Sequence, residues 1–160
     1  NRSVAMAIER VKAYFRTLGI EDRILEFDVS CATVEDAAKA LNCERGRVAK
    51  TLSFHVGQRV VLVVASGDTR DDNAKYKAVF GRRPRMLASA EAESLIGHAV
   101  GGICPFAVNE GVEVYLDQSL KRFDSVFPAC GSSNSLIELS IQELEQYSNS
   151  LGWIDVCCSA

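Results

Sequence analysis

The sequence predicts an α+β fold in which helices flank a mixed sheet. Three observations carry this. A length of 160 residues is enough for one hydrophobic core, and 48% apolar against 24% charged residues is a globular balance, not a disordered one. Helical and strand periodicities are interleaved without the strict strand–helix–strand alternation of a doubly wound sheet. Neither internal repeats nor a Pro/Gly/Ser-rich linker divides the chain, so residues 1–160 are expected to form a single compact domain.

The elements follow in order. Val4, Ile8, Val11, Phe15 and Leu18 recur on one helical face, which predicts a helix over 3–18 with Ser3 as N-cap and Gly19 as stop. Ile24 to Phe27 is a short strand. Thr33 opens a second helix, with Asp36 in the capping-box place and Val34, Ala37, Ala38 and Leu41 turned inward. Val48–Val56 and Val60–Ala65, split by Gly57-Gln58, predict a hairpin whose second strand is buried. A helix from Asp71 to Phe80 stops at Gly81. Arg85–Leu87 is another short strand, and Ser89 caps a helix that stops at Gly97. Beyond Pro105 the pattern is mainly β, with strands at Val112–Leu116, Ser125–Ala129 and Leu136–Leu139. Ser140-Ile141-Gln142-Glu143 is a capping box that starts a last helix over 141–150, with Ile141, Leu144 and Leu151 inward.

Charge and composition exclude several classes. A net charge of −3 argues against a protein that coats DNA or RNA by bulk attraction, yet it leaves room for one local basic site. Lys75, Lys77, Arg82, Arg83 and Arg85, with Arg45 and Arg47, are either a solvated face or a phosphate-binding rim. No apolar run approaches membrane-spanning length, and Arg10, Lys12 and Arg16 break any signal-peptide core, so a cytoplasmic protein is expected. Six cysteines form no CxxC pair, and two histidines show no zinc spacing, so reduced thiols and no metal or cofactor are expected. Cys157-Cys158 are read as tail residues.

Two features carry candidate chemistry. The first is the loop Gly97-His98-Ala99-Val100-Gly101-Gly102-Ile103-Cys104-Pro105, where glycines admit positive φ and close approach while Pro105 fixes the exit. Gly101-Gly102 is either a bulge between strands or a place where bare N–H donors hold an oxyanion. The second is Lys50, which shares a strand face with Val48, Leu52, Phe54 and Val56. Such a lysine either snorkels to water or is a cation held at a cleft. Cys104 with His98 suggests a thiol nucleophile and base, against the alternative of a small packed side chain. Asp117 is a polar group at a strand end or a turn aspartate, and alternation puts His55 at the surface.

With both features in view, the chain resembles the YbaK/EbsC family of aminoacyl-tRNA deacylases, relatives of the editing domain inserted in bacterial prolyl-tRNA synthetases. The resemblance runs over about 30–144, through TVEDAA at 33–38, VAKTLSF at 48–54, VVLVVASGD at 60–68, the loop at 97–105, YLD at 115–117 and ACG at 129–131 leading to IELS at 137–140. It implies a barrel-like mixed sheet and hydrolysis of the ester between a wrong amino acid and the 3′-terminal adenosine of a tRNA, commonly tRNA-Pro. The implied catalytic groups are Lys50, Gly101 and Gly102; Thr51, His98, Ile103, Pro105, Asp117 and Gly131 would contact substrate. The tRNA 3′ acceptor end is the implied partner, with prolyl-tRNA synthetase as a second, and no metal is required. The alternative is a non-catalytic module that binds a tRNA acceptor end or a synthetase through the same residues.

Overall fold

The computed structural model describes residues 2–160, with side chains from Ala7 onward. Helix α1 (Arg2–Thr17) begins ahead of the expected Ser3 cap, and the side chains of Ser3 and Val4 lie outside the described residues. Its buried stripe of Ala7, Ile8, Val11 and Phe15 follows the expected spacing. Strand β1 (Leu25–Glu26) is followed by α2 (Val34–Leu41), where the Thr33 hydroxyl accepts from Asp36 N–H at 3.1 Å. Strands β2 (Val48–Val56) and β3 (Arg59–Ser66) form the predicted hairpin, and Gly57 at φ +61° supplies the turn.

Strand β4 (Thr69–Asp71) was not foreseen, so α3 (Asn73–Phe80) starts later than expected, with Asp72 as its cap. Then come β5 (Arg85–Met86) and α4 (Ser89–Ile96). Ser89 is the first helical residue and not the cap; Ala88 holds that position, its N–H donating to Glu91 Oε1 at 3.0 Å. Strands β6 (Glu113–Asp117) and β7 (Ser125–Pro128) lie close to their predicted places. The expected strand at 136–139 is two pieces, β8 (Ser135–Leu136) and β9 (Leu139–Ser140), because each pairs with a different partner. Helix α5 (Ile141–Tyr147) has the predicted capping box but stops short of Ser150. Strands β10 (Trp153–Ile154) and β11 (Cys157–Ser159) close the chain. Cys157 and Cys158 are therefore not tail residues: they pair with Asp71 and Arg70 of β4.

The main sheet runs β10-β6-β3-β2-β7-β9, with β5 added to β2, and curls as an open half-barrel. Parallel and antiparallel neighbours mix, as an α+β fold allows: β3 is antiparallel to β2 but parallel to β6. Central strand β3 explains its own composition. Val61 to Ala65 are all fully buried, Leu62 and Val64 facing the cluster that holds α1, Val61, Val63 and Ala65 facing Tyr76 of α3. A strand covered on both faces reads as a continuous apolar run. His55 is not a surface residue: it is half-buried and bonds Glu91 at 3.1 Å.

Candidate active site

The site begins with a break in strand pairing. On one edge β2 pairs with β3 from Ala49 to Val56. On its other edge β7 faces Val48 and Ala49, and β5 faces Phe54 and His55. Residues 50–53 lie between those two partners with no strand opposite. A cleft of about 340 Å³ opens there. Ala49, Thr51 and Ser53 border it, with Met86 and Leu87 on one side, Val100, Gly101 and Ile103 on another, and Cys31 to Val34 beyond.

Lys50 borders this cleft together with Gly101. Its amine does not run to open water. Lys50 lies opposite Ala65 on β3, and its ammonium donates to the Thr69 carbonyl of β4. β4 is in turn held by β11 through the register Ser159↔Thr69. The C-terminal strand thus fixes the wall against which the lysine rests.

The glycine loop divides into two parts. Gly101 has φ +97°, and a Cβ there would find Ser133 and Ala32 at an ordinary 3.7–3.8 Å. Gly102 is different: its N–H donates to Ala99 O at 3.0 Å, and a Cβ would stand 2.7 Å from the backbone of Gly131 and Ser132. Gly102 does not border the cleft and its N–H is engaged, so it is not one of the expected free donors. Its glycine is required for backbone packing. Gly131, expected at the substrate, is buried, and a Cβ there would stand 3.0 Å from the α1 backbone at Ala7. Pro105 is buried as well, ahead of Phe106, whose ring meets Phe15 edge-on at 4.9 Å.

His98 and Cys104 lie beneath the loop, both without solvent exposure. His98 Nε2 donates to Phe106 O at 2.7 Å, with Cys104 Sγ at 3.4 Å, while Nδ1 has no partner. Burial pushes the Cys104 thiol up to about 12 and lowers the His98 imidazole. A thiol so protected from ionisation and from solvent is no nucleophile, and His98 does not face the cleft. Asp117 is also elsewhere. Its Oδ1 accepts from Val156 N–H and its Oδ2 from Ser119 N–H, each at 2.9 Å, which ties β6 to the C-terminal segment.

Of the sequence-selected positions, Lys50, Thr51, Gly101 and Ile103 meet at the cleft, whereas Gly102, Gly131, Pro105, His98 and Asp117 do not line it. Met86, Leu87 and Val100 were missed. Among the described residues Met86 and Val100 are exposed apolar side chains, 61% and 59% accessible, flanking the mouth. Of the basic residues, Arg45 pairs with Glu35, Arg47 with Glu138 and Lys75 with Asp155. No helix among the described residues is long and apolar enough to cross a membrane.

A family model described as the aminoacyl-tRNA editing domain matches residues 28–147. The chain belongs to that family. The editing domain is 48% identical over 153 residues to an uncharacterized protein of Bacillus subtilis, YwhH, covering 95% of this chain and 98% of that one. It is 33% identical over 101 residues to a proline–tRNA ligase of Bacillus cytotoxicus, covering 62% of this chain but only 18% of the ligase. In three dimensions it superposes on a candidate trans-editing enzyme for prolyl tRNA synthetase with a TM-score of 0.84 at 28% identity, covering 94% and 96% of the two chains. The shared architecture is this half-barrel with its helices.

Proposed function

We propose that this editing domain is a free-standing trans-editing deacylase that hydrolyses the ester between a small wrong amino acid, such as Ala or Cys, and the 3′-terminal adenosine of tRNA-Pro. One observation carries the reading: Lys50 and Gly101 border a single apolar cleft cut into the edge of β2. Water attacks the ester carbonyl carbon, the tetrahedral oxyanion collapses, and the ribose oxygen leaves with a proton. In this reading Gly101 N–H holds the oxyanion; one such donor is worth about 3–4 kcal/mol. Lys50, steadied by Thr69, meets phosphate of the acceptor end. Discrimination is steric, because a methylene in an apolar pocket yields about 1–3 kcal/mol. The partners are the tRNA 3′ end and prolyl-tRNA synthetase, and the setting is the cytoplasm.

The test is Lys50→Ala against a panel of mischarged tRNAs. Deacylation should fall about a hundredfold, roughly 2.7 kcal/mol, with circular dichroism and melting unchanged. A folded, fully active Lys50→Ala protein would refute the proposal. Salt-dependent tRNA binding without ester loss in the wild type would select a binding module instead.

A further inference from the structure

The geometry points to Thr51 as the receptor for the substrate's α-ammonium group, an inference that rests on the deacylase reading above. Three observations converge. First, Thr51 borders the cleft, and its hydroxyl oxygen is covered without any hydrogen-bond partner among the described residues. Buried polar atoms are nearly always bonded, so an orphan at a ligand cleft needs an explanation.

Second, the register turns the peptide groups of Thr51 toward the same opening. The two-residue turn makes Val56 and Arg59 the bonded end pair of the hairpin, so alternate residues back to Lys50 bond to β3. Thr51, Ser53 and His55 then direct N–H and C=O to the other edge. Ser53 obeys this, its carbonyl accepting from Leu87 N–H at 3.1 Å. Thr51 faces no strand.

Third, no carboxylate lines the cleft among the described residues. A cation entering it must be received by neutral oxygens, because a buried charge without acceptors is costly. The Thr33 hydroxyl is already engaged by Asp36 N–H. Thr51 supplies a carbonyl and a hydroxyl on one residue, and turning that hydroxyl toward a ligand breaks no existing bond. Lys50 does not interfere. Adjacent strand residues leave opposite faces, and its amine is held at the Thr69 carbonyl, where it meets phosphate and not the α-ammonium. The substrate therefore sits with its amine on β2 and its carbonyl toward Gly101. Esters whose α-nitrogen is acylated are excluded.

Two non-hydrolysable probes test this, 3′-alanylamido-3′-deoxyadenosine and its propionyl counterpart, which lacks only the amine. In calorimetric titration the wild type should bind the alanyl probe at least tenfold more tightly. Thr51→Val should reduce that ratio about tenfold without weakening propionyl binding, and Thr51→Ser should restore it. Thr51→Val should also melt no lower than the wild type, since an apolar isostere replaces an orphan hydroxyl. Equal affinity of the wild type for both probes, or an unchanged ratio in Thr51→Val, would overturn the inference while leaving ester hydrolysis intact. A Thr51-dependent amine preference in a wild type that hydrolyses no aminoacyl-tRNA would sustain this inference and sink the deacylase reading.

Discussion

Thr51 and Asp117 are both polar residues of one sheet, on β2 and β6 with β3 between them, yet their surroundings differ in kind. Asp117 is 1% exposed and each of its carboxylate oxygens receives a backbone N–H. The Thr51 hydroxyl receives nothing. Around Asp117 the bonding is closed, both carboxylate oxygens being taken, whereas the edge of β2 is incompletely bonded. Satisfied groups hold a fold together; unsatisfied groups at a cleft are where a ligand completes the bonding. The adjacent glycines repeat the contrast at the level of shape: Gly102 is locked against Gly131, and Gly101 has space in front of it.

The sharpest way to break this contrast is Asp117→Ala. Removing two charge-assisted bonds and stranding the buried Val156 N–H and the half-buried Ser119 N–H should cost about 4 kcal/mol in urea unfolding. A stability within 1 kcal/mol of wild type would show that the closed region does not depend on it. Next is Gly102→Ala, whose methyl would press on unyielding backbone; a loss of about 3 kcal/mol is expected by the same measurement. Gly101→Ala should cost only about 1–2 kcal/mol, from its positive φ alone. Deacylation should fall more steeply in Gly101→Ala than its stability does, and the reverse ordering of the two alanine variants would dissolve the distinction between them.

The smallest effect concerns pH. Burial depresses the His98 imidazole below its ordinary 6.5. Below that value the unfolded chain takes up a proton that the folded one refuses, so stability is complete above about pH 6.5 and declines as pH falls toward the depressed folded value. His98→Gln should flatten that part of the stability profile. An unaltered slope between pH 7 and 5 would mean that the imidazole contributes nothing to it.

Local chemistry was enough to write much of the molecule from its sequence. The Thr33 and Ser140 caps, the Gly57-Gln58 turn and the apolar run of β3 act over a few residues, so their signals are complete within a short window. Lys50 and the glycine loop were likewise visible as unusual residue types in place. Their meeting was decided by tertiary structure. Whether position 102 can carry a side chain depends on Gly131, far along the chain, and whether Asp117 is free depends on Val156. His98 was drawn under its loop by Phe106, and the cleft itself exists because β5 and β7 leave four residues of β2 unmatched. A residue type states what bonds a group can make; only the packing of distant segments determines which of them are already made.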